Sequence, residues 1–197
     1  MRQVLSATLL AVGLIGFATT QTLPHVPAAL LQPIVAITNH DAAAPVAEVQ
    51  PERDGAITRL VIASIGLDTP VRPAPLVDHN GVSTWDVPKF VAGHAEGSAG
   101  AGDRGNAILL GHVTSLTLGN VFEQLHAVSP GDPVEVYSPD ARYVYRVADV
   151  TDVARTDLEV LDPTPNATLT LITCSGAWLP TVWDYSQRLV VRAELIH

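Results

Sequence analysis

A single cysteine, Cys174, stands in a chain of 197 residues. It follows the β-type run Thr168-Leu169-Thr170-Leu171-Ile172-Thr173 and precedes Ser175-Gly176, a turn signal. That context puts the thiol at a strand end, at the rim of a sheet. A free thiol is mostly protonated at neutral pH, so a nucleophilic role needs a base or a cation beside it. Two residues of the right type sit in similar contexts. His112 ends Asn106-Ala107-Ile108-Leu109-Leu110-Gly111-His112, the exit of an apolar strand, and Gly111 removes a side chain just before it. An imidazole there is a candidate general acid and base. Arg188 opens Arg188-Leu189-Val190-Val191-Arg192-Ala193-Glu194-Leu195, and a rim guanidinium can donate fixed hydrogen bonds to a developing oxyanion. The bland alternatives are a buried inert thiol, a satisfied histidine and a solvated strand-end charge.

The elements that must position these residues read as short strands. Candidates are 57–65, 69–72, 107–111, 134–138, 143–153, 168–173 and 188–195, rich in Val, Ile, Leu and Tyr. Turn signals separate them: Asp78-His79-Asn80-Gly81, Gly100 to Gly105, Pro130-Gly131-Asp132-Pro133, Pro139-Asp140 and Asp162-Pro163-Thr164-Pro165-Asn166. Tyr143 to Val147 alternates only roughly, as a strand partly covered on both faces does. Asn120 with Glu123 three residues on signals one helical turn. Seven or eight such strands predict an all-β sandwich or closed barrel. His94 falls in a Gly/Ala-rich stretch that reads as loop. His79 and His126 lie in a turn and after the helical turn.

The ends and the charge bound the biology. The chain carries 11 Lys+Arg against 20 Asp+Glu, a formal charge of −9, which argues against nucleic acid as the main partner. One cysteine excludes an intrachain disulfide and any two-cysteine metal site. After Arg2 no charged residue occurs until Asp41, and 4–18 is almost wholly apolar. Residues 1–23 are expected to be a hydrophobic helix: an anchor with its N-terminus inside, or a signal peptide cut after Gly16-Phe17-Ala18. Residues 24–51 hold five prolines (Pro24, Pro27, Pro33, Pro45, Pro51) and many alanines. That composition reads as a tether, spanning on the order of 90 Å if extended at ~3 Å per residue. Residues 52–197 are then one domain, large enough to bury its own core.

Together the chemistry-bearing positions resemble the sortase family. Thr170-Leu171-Ile172-Thr173-Cys174 matches the family motif Thr-Leu-x-Thr-Cys in full, and His112, Cys174 and Arg188 follow the family order. The strand ending in Gly111-His112, the Arg188-Leu189-Val190-Val191 context, Leu60 to Leu67, and Leu125 with Pro130-Gly131-Asp132 agree as well. The resemblance runs from about Arg59 to Leu195. It implies a closed eight-stranded β-barrel with one or two short helices, and a cysteine transpeptidase. Such enzymes cleave a Leu-Pro-x-Thr-Gly-like sorting signal between Thr and Gly, then pass the acyl group to an amine.

By that resemblance Cys174 forms a thioester, His112 moves protons, and Arg188 holds substrate and oxyanion. Thr173 is expected to orient substrate; Trp183, with Trp178, in the 174–188 segment either walls the substrate groove or packs that segment, and packing is the favoured reading. The shortness of 174–188 resembles classes D, E or F rather than B. The implied partners are surface proteins with a C-terminal sorting signal, an amine of cell wall or pilin, and the membrane through residues 1–23. The implied location is the outer membrane face, or the exterior after signal cleavage. No cofactor is called for. Calcium is left open, because Glu96, Asp103, Asp157 and Asp162 are scattered loop carboxylates that do not define a site. Two rivals remain: a thiol hydrolase in which Asp184 or Asp157 orients His112, and a tethered binding module with an inert Cys174.

Overall fold

The computed structural model describes residues 55–79 and 81–196. The apolar segment 1–23 and the tether 24–51 lie outside the described residues. Among those described, no helix is long and apolar enough to cross a membrane.

Eight strands close into a barrel: β1 (Arg59–Ile62), β2 (Leu67–Ala74), β5 (Ala92–Ala95), β6 (Gly105–Leu110), β9 (Ala167–Leu179), β10 (Asp184–Leu195), β8 (Arg142–Ala154) and β7 (Pro133–Tyr137), which returns to β1. Neighbours are antiparallel except β2–β5 and β6–β9, which are parallel. A separate hairpin, β3 (Leu76–His79) with β4 (Val82–Trp85), interrupts the barrel between β2 and β5. Single 3₁₀ turns occur at Ala63–Ile65, Leu125–Ala127 and Glu159–Leu161.

Successive residues of a strand face opposite sides, so β6 and β9 should alternate if only one side were covered. They do not, because both sides are buried. Leu109, Leu169, Leu171 and Val191 join Leu60, Val134, Val136 and Tyr145 inside the barrel. Ile108, Leu110, Ile172 and Val190 form a second cluster outside it, with Ala74, Ala95 and Val160. The unbroken apolar runs in the sequence are the signature of this double cover.

The eight-stranded all-β barrel agrees with the sequence reading, and its local differences have physical causes. β1 stops at Ile62 because Gly66, at φ 65°, closes a 3₁₀ turn that reverses the chain into β2. His94 is in strand β5, not in a loop. That strand is too short and small-sided to show in the sequence, and it forms because β2 and β6 flank it. Ser175-Gly176 is not a turn. β9 continues to Leu179, and Gly176 at φ 75° sits in a bulge where the pairing with β10 shifts between Tyr185 and Gln187. The reversal comes later, at 180–183. Arg188 is therefore inside β10 rather than at its start.

One buried polar side chain ties a peripheral segment to this frame. Asn106 on β6 donates to the carbonyls of Val160 (3.0 Å) and Asp162 (3.2 Å) and accepts from the Thr170 hydroxyl (2.6 Å). It holds the link between β8 and β9 against the outer cluster. Replacing Asn106 with Leu would strand two carbonyls and one hydroxyl. Urea unfolding of Asn106→Leu should show a loss of about 2–4 kcal/mol; a change below about 0.5 kcal/mol would mean that water replaces the amide without cost.

Candidate active site

The register of three strands sets the site. In the parallel β6–β9 pair, Leu110 lies opposite Ile172, and the Gly111 N–H continues the ladder to the Ile172 carbonyl at 3.2 Å. Two residues beyond Leu110 and Ile172 come His112 and Cys174, at the same level. In the antiparallel β9–β10 pair, Cys174 lies directly opposite Arg188. Directly opposed residues project from the same face of a sheet. His112, Cys174 and Arg188 therefore form one row across three strands, on the outer face that carries Leu110, Ile172 and Val190.

All three line a groove of about 440 Å³. Its floor is Leu110 and Ile172. One wall is the β3–β4 hairpin with Leu76 and Trp85. The other is the segment after β8, with Leu158, Val160 and Leu161. Glu96 holds the hairpin wall: its carboxylate accepts the Leu76 N–H at 2.8 Å, and its carbonyl accepts the Trp85 indole N–H at 3.1 Å. Asn106 holds the opposite wall, as described above.

His112 is placed by close packing. A Cβ on Gly111 would lie 2.5 Å from Cδ2 of Phe122, so only glycine lets the phenyl ring sit against the strand exit. The Phe122 N–H then bonds the His112 carbonyl at 3.0 Å. From the other side the Thr173 hydroxyl donates to the Gly111 carbonyl at 2.7 Å. Nε2 of His112 is buried with no hydrogen-bond partner among the described residues. His112 itself lines the groove, and this unpartnered nitrogen keeps its hydrogen-bonding capacity uncommitted.

Cys174 is half-buried, and burial is the main influence on its thiol, pushing its pKa up. The Arg188 guanidinium pulls it down and the Asp184 carboxylate pushes it up again. Arg188 is fixed by three acceptors: Asp184 Oδ2 at 2.7 Å, the Gln187 carbonyl at 3.0 Å and the Tyr185 carbonyl at 3.3 Å. Burial alone would raise the Asp184 carboxyl. The Arg188 hydrogen bond, the Tyr185 N–H, and the charges of Arg188 and Arg155 outweigh it and hold Asp184 below the usual carboxylate range.

The closed barrel thus carries, on its outer face, a thiol set between an imidazole and a guanidinium at an apolar groove. The family model described as the sortase domain matches residues 60–196. The chain belongs to the sortase family. Over 93 residues it is 32% identical to Sortase A of Bacillus anthracis, covering 47% of this chain and 41% of that protein. The chain thus spans about two fifths of the length of that curated relative. Among solved structures, a lid mutant of Sortase A from Corynebacterium diphtheriae is 26% identical with TM-score 0.57, over 72% of this chain and 70% of that one. Sortase C-1 of Actinomyces oris is 27% identical with TM-score 0.55, over 71% and 73%.

The other candidates separate. Thr173 is 3% exposed, and its hydroxyl is engaged with the backbone carbonyl before His112. Trp183 is 82% exposed, at φ 52° on the β9–β10 turn, and is not among the groove-lining residues. It packs edge-on against Trp178, which packs edge-on against Tyr185. The aromatic wall is Trp85, which no sequence signal singled out, because its place depends on the separate hairpin. Neither aspartate of the hydrolase reading reaches His112. Asp184 binds Arg188, and the Asp157 carboxylate accepts the Glu159 N–H at 3.1 Å. No cluster of three or more His, Cys, Asp or Glu suited to a metal lies among the described residues. Glu96 serves the hairpin instead, and Asp157 its own turn.

Two measurements test this geometry. Alkylation of Cys174 by iodoacetamide should climb with pH to a midpoint above that of free cysteine, and Arg188→Ala should move the midpoint higher still. Because folding favours the protonated thiol, the stability this supplies is complete below the ordinary thiol range and fades as pH rises through the folded value. Separately, Gly111→Ala should lower stability by about 1–3 kcal/mol in thermal unfolding, as an overpacked core does. An unchanged midpoint of unfolding would show that Phe122 can move aside freely.

Proposed function

We propose that this chain is a cysteine transpeptidase acting on a Leu-Pro-x-Thr-Gly-like sorting signal at the outer surface of a cell. The observation that carries the reading is the single row of His112, Cys174 and Arg188 at a groove whose floor and walls are aliphatic and aromatic. Leu76, Trp85, Val87, Leu110, Val160 and Ile172 suit the leucine and proline of such a signal, which bring apolar surface and no side-chain hydrogen-bonding groups.

The thiolate of Cys174 attacks the threonine carbonyl. A carbon–sulfur bond forms as the carbon–nitrogen bond to glycine breaks, and the imidazolium of His112 gives its proton to the leaving amine. The carbonyl oxygen gains charge during attack. A guanidinium carries five N–H donors, and three of those on Arg188 are already engaged, leaving two for that oxygen. In the second half, an incoming amine loses a proton to neutral His112 and displaces the thiolate, closing a new amide. The raised thiol pKa makes the reactive thiolate a minority form of the resting Cys174.

Residues 1–23 and 24–51 supply the setting in this reading, as membrane segment and tether, and residues 52–197 are the catalytic head. Family membership supports substrates that carry sorting signals and a cell-surface location. The amine is that of a cell-wall or pilin component.

The test is mass spectrometry of the full-length chain in detergent with a panel of Leu-Pro-x-Thr-Gly-like peptides, with and without a glycine amine. A thioester on Cys174 and an amine-dependent ligated product are expected. Cys174→Ala should form no adduct, and His112→Ala or Arg188→Ala should slow adduct formation by about 100-fold or more. Peptide release indifferent to added amine would replace the transferase with a hydrolase. No adduct from a folded chain whose thiol resists alkylation would leave a binding module.

A further inference from the structure

Asp184 lies on β10 four residues before Arg188, and three side-chain or backbone groups converge on it. Its Oδ2 accepts from Arg188 Nη2 at 2.7 Å and lies 4.0 Å from Arg155 Nη1. Its Oδ1 accepts the Tyr185 N–H at 2.7 Å. Arg155 lines the groove and is itself tied to β10, its N–H donating to the Ser186 carbonyl at 3.3 Å. The carboxylate is therefore pinned on one oxygen by backbone and faced on the other by two guanidinium groups. Both remain partly solvent-exposed, with side-chain exposures of 24% for Arg188 and 28% for Asp184.

The pairing is irregular here: residues 184 and 185 pair with 179 and 178, and Gln187 pairs with Ser175, so a bulge in β9 faces the stretch between the carboxylate and the arginine. A straight strand would carry residues four apart about 13 Å along its axis. Here their side chains touch, and the Arg188 head also reaches the carbonyls of Tyr185 and Gln187 on its own strand. The guanidinium is folded back along β10 and fastened at its outer end. A long, flexible side chain would otherwise sample many rotamers across the groove mouth.

We propose that Asp184 is a positioning residue of this site: its carboxylate, braced by the Tyr185 amide and Arg155, clamps the Arg188 guanidinium so that two N–H donors stay fixed toward the carbonyl attacked by Cys174. The proposal rests on the transpeptidase reading for its kinetic consequence, and its structural half stands without it. The clamp also separates charges. Asp184 opposes the thiolate that Arg188 favours, so engaging the carboxylate with two arginines limits that opposition while keeping Arg188 in place. No step of bond making is assigned to Asp184.

The test combines guanidinium NMR with a kinetic cycle on the full-length chain. Clamping slows rotation about the Nε–Cζ bond, so the Arg188 Nη1 and Nη2 resonances should be separate in the native chain and merge in Asp184→Asn. For a Leu-Pro-x-Thr-Gly peptide, Asp184→Asn should cut kcat/KM by about 10–100-fold, the worth of a hydrogen bond to a charged group, with the loss mainly in kcat. Asp184→Glu should recover part of it. In an Arg188→Ala background the same Asn substitution should cost less than about 2-fold, because the partner through which Asp184 acts is gone. Separate Nη resonances that persist in Asp184→Asn overturn the clamp. An equal loss with and without Arg188 overturns it too, and marks Asp184 as a structural residue of the β9–β10 turn. Should the native chain turn over no peptide at all, the transpeptidase reading fails, and the Nη resonances alone decide whether the clamp exists.

Discussion

Parallel pairing between Gly105–Leu110 and Ala167–Ile172 fixes which residues can meet at the groove. A slip of one residue would turn every side chain of one strand to the other face. It would send Cys174 into the barrel and bring Thr173 out. Two features hold the register. Leu109, Leu169 and Leu171 fill the barrel interior while Ile108, Leu110 and Ile172 fill the outer cluster, so either slip would exchange two packed layers. The Thr173 hydroxyl then grips the Gly111 carbonyl one step before the row of reactive residues. Thr173 thus holds the backbone that leads into His112.

The walls are fastened by different means from the floor. Glu96 and Asn106 each use one polar side chain, and in the case of Glu96 also its carbonyl, to hold a segment that belongs to no barrel strand. Asn106 is buried and depends on complete hydrogen bonding, since each group left alone there costs free energy. Glu96 is exposed and works beside water. The two walls accordingly differ in how firmly they are set, although the same floor lies between them.

The barrel interior and the row of His112, Cys174 and Arg188 were legible because local signals mark them: apolar runs bounded by turns, and a distinct sequence context around each of the three residues, although only His112 lies at a strand exit. It was less informative wherever a neighbour decides the outcome. β5 contains Ala92, Gly93, His94 and Ala95 and has no strand character of its own; it is a strand because β2 and β6 supply partners. Ser175-Gly176 has turn chemistry, but Gly176 spends its positive φ on a bulge, and the pairing with β10 carries the strand on. Asp184 was legible as a carboxylate near the site. Its partner was not: the side chain binds Arg188, four residues on along its own strand, and not His112. Trp85 carries no local mark of its place, and Trp183 had the right composition in the wrong position.

The reactive row lies on the outside of a barrel that is closed on itself. Access to the thiol therefore never requires a barrel strand to part from its neighbour. The deep interior, built around Leu60, Leu109, Leu171 and Val191, lies on the opposite face of the same sheet and can be packed as tightly as side chains allow without closing the groove.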